Sequence, residues 1–336
     1  MIFKGAELYN VSEMEYNSEK ESYDMLRVPK HVEEGLNKDA QKINRFNTGA
    51  EIRFVHIDDE IEITMQTEGV SDVSSPMIYY GNIQAGWQDS QKNILGDKTK
   101  ITVSIPKRLE YLKNIAADFS HPFDPEVVRL IFPCKRCTIT DIKGKCTPPP
   151  SDKVPQKRIL TYGSSITHGS LSILPVNAYA YRVAENLGYD LINLGYAGSA
   201  AMEACMADYI AKRKDWDIAH LEMGINVINT MPEDEFANRV SYFIEKIASE
   251  NPDKKVVCTD MFYFSLDYER STKVEVYRDI VLKAAEKTHS KNVLYINGKK
   301  LLTNMNGVSA DLVHPNVRGM EEIARNLTQK IKEFTK

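Results

Sequence analysis

The chain has 336 residues, of which 42% are hydrophobic and 27% charged, and its formal net charge is -4. This length exceeds one ordinary domain and is short for three, so we expect two domains with ample core. The small negative charge gives no electrostatic case for nucleic acid or an anionic membrane surface as a partner, and no apolar run is long enough to span a bilayer. The N-terminus carries no recognisable secretion signal, so we expect a cytoplasmic protein.

Five cysteines include Cys134-x-x-Cys137 and Cys146. One interpretation is part of a zinc site completed by His121, and another is a disulfide pair. A structural zinc site needs four ligands, and no second Cys-x-x-Cys follows. We therefore interpret the cysteines as reduced thiols in or beside a strand, and we expect neither a metal nor a cofactor.

Short runs of alternating apolar residues fill the chain from about residue 40 to residue 142. Turn residues such as Gly81-Asn82 and Gly96-Asp97 separate them. Several short strands at this spacing are typical of an antiparallel sandwich, so we predict a jelly-roll-like β-sandwich domain over residues 1–146. The runs on which this prediction depends cover residues 51–57, 60–65, 101–105 and 127–132.

A proline-rich stretch follows, with Pro148-Pro149-Pro150 and then Pro155. Consecutive prolines donate no backbone hydrogen bonds and favour extended, solvated chain. We predict a linker over residues 147–157.

After the linker, strands alternate with helices. Such alternation implies a mostly parallel sheet covered on both faces, a three-layer α/β/α flavodoxin-like domain over residues 158–336. Ligands of these sheets bind at the C-terminal ends of the strands. The predicted strands are 160–163, 190–194, 217–223, 255–259 and 293–296, and the predicted helices are 180–188, about 199–212, and those that follow Pro232, Ser271 and about residue 317.

A serine, an aspartate and a histidine fall at this edge of the predicted sheet. Ser165 comes directly after the first strand of the domain, between Gly163 and Gly169. Asp311 and His314 precede the last helix. A carboxylate three residues from an imidazole can hold the ring nitrogen that faces away from the serine, and the three groups together are the parts of acyl-transfer chemistry.

Two further strand ends carry groups that can stabilise an oxyanion. Gly195 and Gly198 follow the second strand, where backbone N–H groups can face an anion without interference from side chains. Asn226 follows the third strand, and its amide can donate a hydrogen bond without being titratable.

These motifs, in this order, resemble the SGNH hydrolase superfamily, also called GDSL-type esterases. Its first block, Gly-Asp-Ser-Ile/Leu-Thr, is matched by residues 163–167, its Gly-x-Asn-Asp block by residues 224–226, and its Asp-x-x-His-Pro block by residues 311–315. The resemblance implies Ser165 as nucleophile and a triad with His314 and Asp311. It also implies oxyanion donors from the N–H groups of Ser165 and Gly198 and the amide of Asn226.

Gly198 fits the second block better than Gly195, because Asn193 lies five positions before it, as in the family's Asn-x-x-x-x-Gly pattern. The sequence departs from the family twice. Ser164 replaces the usual first-block aspartate, and Val227 replaces the aspartate that often follows the asparagine. Both departures predict altered hydrogen bonding around the site.

The first half resembles, more weakly, the β-sandwich that precedes this hydrolase domain in some esterases acting on O-acetylated sugars, through Arg45-x-x-Thr48-Gly49-x-x-Ile52-Arg53-Phe54. Trp87 and the pair Tyr79-Tyr80 could stack on a sugar ring, although such aromatics are more often core residues. The resemblance implies hydrolysis of short-chain, acetyl esters of a small molecule or an oligosaccharide.

Two alternatives stay open. A lipase or thioesterase of the same superfamily would need an apolar pocket, for which Met202, Met206 and Met261-Phe262 are candidates. An inactive carbohydrate-binding protein is less favoured, because all three triad residue types are present. A homo-oligomer is also left open.

Overall fold

The computed structural model describes residues 1–67, 76–87 and 98–336. The turn predicted at Gly96-Asp97 lies outside these residues. Up to residue 156, the strands are β1 (Ile2–Phe3), β2 (Ala6–Tyr9), β3 (Glu13–Asn17), β4 (Ser22–Leu26), β5 (Glu51–His56), β6 (Glu60–Thr67), β7 (Met77–Tyr80), β8 (Ile83–Gln84), β9 (Thr99–Ser104), β10 (Val127–Ile131), β11 (Cys137–Lys143) and β12 (Cys146–Thr147), and the helices are α1 (Lys30–Glu33), α2 (Lys38–Ile43) and α3 (Leu109–Asp118).

From residue 157 onward, strands and helices alternate. The strands are β13 (Arg158–Gly163), β14 (Asp190–Gly195), β15 (Ile218–Glu222), β16 (Lys255–Thr259) and β17 (Val293–Ile296), and the helices are α4 (Ser165–His168), α5 (Tyr179–Leu187), α6 (Ala204–Lys212), α7 (Glu233–Glu250), α8 (Ser265–Tyr268), α9 (Thr272–Lys287) and α10 (Val317–Phe334).

The chain divides into two compact units. The first comprises Met1–Lys30, Asn44–Gln156 and Gly188–Asp190, and the second comprises His31–Ile43, Lys157–Leu187 and Leu191–Lys336. The units differ from the predicted domains in three short segments. His31–Ile43, with α1 and α2, groups with the second unit, and Gly188–Asp190 groups with the first. Residues 147–156 of the predicted linker belong to the first unit, and Lys157 belongs to the second.

The first unit contains two antiparallel sheets that share one apolar core. One sheet has the order β1-β2-β5-β10-β7-β8, with β12 also paired to β5, and the other has the order β3-β4-β11-β6-β9. Ile52 and Phe54 of the first sheet and Ile61 and Ile63 of the second are fully buried in the same cluster. Their spacing of two along each strand places them on one face of their sheet, as the alternation predicted. The β-sandwich is therefore confirmed.

The second unit is built on a sheet with the order β14-β13-β15-β16-β17. The pairs β13–β15, β15–β16 and β16–β17 are parallel. This is the 2-1-3-4-5 order of flavodoxin-like sheets. The helices pack in two groups, α5 with α10 and α7 with α6 and α9, which agrees with the predicted three layers. Within the part of the chain that the structure describes, no helix is both long enough and apolar enough to cross a membrane.

A buried ion cluster lies within the first sheet. Arg53 of β5 stands directly opposite Arg129 of β10 in the antiparallel register, an arrangement that is repulsive unless the charges are balanced. Glu51, two residues before Arg53, accepts N–H groups from Arg53 Nε at 2.7 Å and from Arg129 Nε and Nη2 at 2.8 and 2.6 Å. The other N–H groups of Arg53 reach Asp190 at 2.6 and 2.7 Å. Burial alone would raise the pKa of Glu51, but Arg129 and Arg53 lower it to about 2.

We expect Glu51→Gln to lower the free energy of unfolding by about 3 kcal/mol at pH 7, because it removes the charge that balances two buried guanidinium groups. The pKa of Glu51 lies below its ordinary value of 4.5, so the carboxylate stabilises the fold fully above that pH. The stabilisation is lost as the pH falls towards 2. Urea unfolding at pH 7 and pH 3 measures both effects.

Glu62→Gln is the matched control, since Glu62 forms a partly exposed pair with Lys100, and such pairs contribute little. A loss for Glu51→Gln that is equally large at pH 3 and pH 7 would contradict the charge-balance explanation.

Candidate active site

The nucleophile candidate begins a short helix. Ser165 is the first residue of α4 and is only 7% exposed. The hydroxyl oxygen of Ser164 accepts the Ile166 N–H at 3.1 Å, so Ser164 is the N-cap of this helix. The serine that replaces the family's aspartate therefore still caps the turn. At the other end, Gly169 in the left-handed region closes the helix.

The structure brings Ser165, His314 and Asp311 into one hydrogen-bonded chain. His314 Nε2 lies 2.7 Å from Ser165 Oγ, and His314 Nδ1 lies 2.6 Å from Asp311 Oδ2. An imidazole held in this way carries its proton on Nδ1 and presents an unprotonated Nε2 to the hydroxyl. The three groups can pass the serine proton to the ring while the carboxylate stabilises the resulting cation.

Asp311 also organises the loop that carries the histidine. Its Oδ1 accepts the N–H groups of Val313 and His314, both at 2.9 Å, and the hydroxyl of Ser309 at 2.7 Å. Burial would raise the pKa of the Asp311 carboxyl, but these hydrogen bonds and that from His314 hold it well below its ordinary value. Asp311 therefore stays ionised at every pH at which an esterase would work.

The expected oxyanion donors lie on the next two strand exits. Gly198 follows β14, and within the described residues its N–H has no hydrogen-bond acceptor. Asn226 accepts the Ala200 N–H at 3.1 Å through its Oδ1, which leaves Nδ2 as the outward donor. The N–H of Ser165, in the first turn of α4, has no partner within that helix. These three groups are the candidates that the sequence predicted, and their role as oxyanion donors stays a prediction.

The segment 198–203, here called the oxyanion loop, is pinned by side chains from several elements. The Ser199 carbonyl accepts Asn37 Nδ2 at 2.8 Å, and the Ala201 carbonyl accepts Arg239 Nη1 at 3.0 Å. The Met202 N–H donates to the buried Tyr162 hydroxyl at 2.9 Å. These bonds occupy backbone groups that a helix would use, which explains why α6 begins at Ala204 rather than near Ser199 as predicted.

The nucleophile helix is packed directly against the end of β14. Asn193 Nδ2 donates to the Thr167 carbonyl at 2.9 Å, and His168 Nδ1 lies 3.0 Å from the Gly195 carbonyl oxygen. A Cβ atom on Gly195 would lie 2.3 Å from the His168 backbone nitrogen, too close for any side chain. Gly195 therefore serves close packing and Gly198 remains the candidate N–H donor.

Other residues named from the sequence lie outside this arrangement. Met202, Met206, Met261 and Phe262 are all buried as packing residues. Tyr79 and Tyr80 are buried in the sandwich, whereas Trp87 is 94% exposed. Within the described residues, Cys134, Cys137 and Cys146 form no disulfide, and burial raises the pKa of Cys137 to about 12. In the described ranges, no group of three or more acidic, histidine or cysteine side chains is arranged to hold a metal ion.

Comparison with known proteins identifies a family for the second half of the chain. Residues 156–332, slightly over half of the chain, match the sequence profile of the GDSL-like lipase/acylhydrolase family. The chain belongs to this family. It is therefore a carboxylic ester hydrolase of the GDSL type. Sequence comparison with curated proteins gives no significant match.

Three solved structures are similar over nearly the full length of this GDSL hydrolase. A salicylyl-acyltransferase, SsfX3, from a tetracycline biosynthetic pathway has a TM-score of 0.79 at 16% identity, covering 98% of this chain and 95% of its own. A putative GDSL-like lipase from Bacteroides ovatus has a TM-score of 0.67 at 18% identity over 92% and 91%. A family two carbohydrate esterase from Cellvibrio japonicus has a TM-score of 0.65 at 12% identity over 99% and 96%. At these identities the similarity establishes the fold.

Sequence reasoning missed two residues of the GDSL hydrolase that contact this site. Glu222 lies buried at the end of β15, and Asn37, directly before α2, reaches the oxyanion loop. The signal for Glu222 is a pair of polar residues, His220 and Glu222, on one face of a strand predicted to be buried on both sides. Nothing near Asn37 in the sequence indicates its contact.

We expect Gly195→Ala to lower kcat about 100-fold, because the new methyl group must push the α4 backbone, and a displacement near 1 Å misaligns the nucleophile. Ester hydrolysis under saturating substrate measures the effect. Gly188→Ala is the matched control: its φ is +70° and its Cβ would meet nothing within 4 Å, so it adds backbone strain without a clash. Equal activities of the two variants would contradict the packing argument.

We expect Asn37→Asp to lower kcat about tenfold with little change in KM, because the variant loses the donor that holds the Ser199 carbonyl and sets a carboxylate against Glu203 Oε1. The remaining oxygen still caps α2 through the Ala40 N–H, so the fold is retained. Asp39→Asn, an exposed change in the same helix, is the control. A proportional rise in KM with kcat unchanged would argue against a role in holding the oxyanion loop.

Proposed function

We propose that this protein is a serine esterase that hydrolyses acetyl or other short-chain esters of carbohydrate alcohols through an acyl-enzyme. The observation that carries the proposal is the pair of short hydrogen bonds that link Ser165 Oγ, the His314 ring and Asp311. The alternative of an inactive carbohydrate-binding protein has no support from this geometry, because a site without activity has no need of the connected triad.

In the proposed mechanism, Ser165 Oγ attacks the ester carbonyl carbon as His314 Nε2 takes its proton. Asp311 stabilises the imidazolium through Nδ1. The carbonyl oxygen becomes an oxyanion that accepts hydrogen bonds from the N–H groups of Ser165 and Gly198 and from Asn226 Nδ2, each lowering the barrier by about 3 kcal/mol. His314 then protonates the leaving alcohol. Water, activated by the same imidazole, releases the acid and restores the serine.

Two considerations favour a short acyl group. The apolar residues that could have lined a long acyl pocket, among them Met206 and Met261, are completely buried in packing. The similar structures that cover most of the chain include carbohydrate esterases of family two and an acetyl xylan esterase from Butyrivibrio proteoclasticus. Assigning their substrates to this chain is an analogy that rests on the shared fold.

A second candidate is acyl transfer, favoured by the fold similarity to a salicylyl-acyltransferase over 98% of the chain. The first half of the reaction is the same. In the second half an acceptor hydroxyl, rather than water, attacks the acyl-enzyme, its proton passes to His314, and a new ester is released.

The test is hydrolysis of 4-nitrophenyl acetate, butyrate and octanoate by the wild type and by Ser165→Ala. We expect kcat/KM to be highest for acetate, and Ser165→Ala to lower kcat by about 10⁴-fold or more. Ser249→Ala, an exposed serine late in α7, is the control and should retain full activity. Product analysis with added alcohols separates hydrolysis from transfer.

Equal rates for wild type and Ser165→Ala would refute the mechanism. A preference for octanoate would favour the lipase alternative, and ester products that outweigh free acid at millimolar acceptor would favour the transferase.

A further inference from the structure

A buried carboxylate lies directly beneath the nucleophile turn. Glu222, the last residue of β15, is 1% exposed. Its Oε2 accepts the Ser164 N–H at 2.7 Å and the Thr167 hydroxyl at 3.0 Å. Both donors belong to the turn that carries Ser165. A Cβ on Gly163 would lie 2.4 Å from this oxygen, so glycine at that position lets the carboxylate approach the turn.

The other carboxylate oxygen is unsatisfied. Within the described residues, Glu222 Oε1 is buried and has no hydrogen-bond partner. Leaving a buried carboxylate oxygen in this state is costly, and structural buried acids are normally paired. Glu51 in the first unit shows the paired arrangement, with two arginines on its carboxylate. Among the residues that the structure describes, Glu222 has no such pair of cations as hydrogen-bond partners.

Three buried titratable side chains in the surroundings of Glu222 are neutral. Burial raises the pKa of Tyr162 and of Tyr179 well above the ordinary value, and lowers the pKa of His220 to about 3. Tyr179 bonds to the Thr167 hydroxyl and lies 3.4 Å from His220 Nδ1, which extends the network away from the site. His314 differs from them, because its ring becomes a cation when it takes the proton of Ser165. Burial raises the pKa of the Glu222 carboxyl, whereas hydrogen bonds from Ser164 and Thr167 and a positive charge on His314 act to lower it.

Hydrogen bonds connect Glu222 to His314 through the Ser164–Ser165 turn. Glu222 holds the N–H of Ser164, the next residue is Ser165, and its Oγ lies 2.7 Å from His314 Nε2. Asp311 approaches the ring from the opposite nitrogen, Nδ1. The imidazole therefore has one carboxylate on its Nδ1 side and a second beyond its Nε2 side.

We propose that Glu222 is a positioning residue whose buried carboxylate holds the Ser164–Ser165 turn and supplies a second negative charge for the His314 imidazolium that forms when Ser165 loses its proton. The proposal rests on the proposed function. The proposal explains why Glu222 Oε1 has no partner. The negative charge of Glu222 is balanced by the His314 imidazolium during the reaction, and not in the resting protein.

The test is the pH dependence of kcat/KM for acetate hydrolysis by the wild type and by Glu222→Gln. The amide keeps an oxygen for the Ser164 N–H and removes the charge. With less negative charge nearby, the imidazolium that forms in the reaction is less stable. We expect the acidic limb of the profile to move about one pH unit lower, and kcat above the limb to fall about tenfold, the factor that corresponds to one pH unit.

Two further variants make the result decisive. Asp260→Asn removes another buried carboxylate, just after β16, whose partners are Arg278 and Tyr295, and should leave the limb in place. Glu222→Asp keeps the charge but withdraws it from the Ser164 N–H, so kcat should fall with the limb unmoved. If Glu222→Gln does not fold, Glu222→Asp still tests the positioning role.

If kcat/KM of Glu222→Gln is lower at every pH but its acidic limb stays at the pH of the wild type, Glu222 has only a structural role. That result would overturn the proposal. Unchanged kcat in Glu222→Asp would overturn the positioning role. If the proposed function itself is wrong, Ser165→Ala retains activity, and that result is independent of any change at Glu222.

Discussion

The hydrogen bond between Ser165 Oγ and His314 Nε2 joins two loops that are 149 residues apart in sequence, and the rest of the site is arranged around it. On the serine side, the position of the hydroxyl depends on close packing of α4 against β14. On the histidine side, the loop is closed at its base, where Val308 bridges to Pro315 and the Asn316 N–H donates to the Gly307 carbonyl at 2.9 Å. Both partners therefore reach the bond with little conformational freedom, which is what acyl transfer requires.

Two buried glutamates, Glu51 and Glu222, have different roles because their hydrogen-bond partners differ. Glu51 lies between the guanidinium groups of Arg53 and Arg129, and its pKa falls to about 2. Glu222 is equally buried, receives only neutral donors, and has a raised pKa. A carboxylate that is fully neutralised contributes stability but cannot respond to a new charge. One that lacks a permanent cation costs stability and can respond to an imidazolium, so the difference in partners separates a structural acid from one poised for chemistry.

The sequence predicted those parts of the fold that depend on local pattern. The strands β5, β6 and β13–β17 and the parallel order follow from period and from alternation with helices, and the triad follows from motifs placed at strand ends. Prediction from the sequence failed where side chains that are distant in sequence take the place of local backbone hydrogen bonds. The sequence pattern predicts that α6 starts near Ser199, because nothing in residues 199–203 reveals that Tyr162, Arg239 and Asn37 hold their backbone. The grouping of His31–Ile43 with the second unit depends on tertiary contacts that no periodicity encodes.

The contact of Asn37 also bears on where the catalytic unit begins. The family profile starts at residue 156, yet the carbonyl of Ser199, next to the proposed donor Gly198, is held by a side chain from residue 37. Asn37 reaches this loop at two points, since its amide and its backbone N–H also contact Glu203 Oε1, at 2.5 and 3.2 Å. The motifs thus specify the reacting groups, while the geometry of the oxyanion donor depends on a segment outside them. Two hydrolases with identical motifs can therefore differ in activity through residues that the motifs do not include.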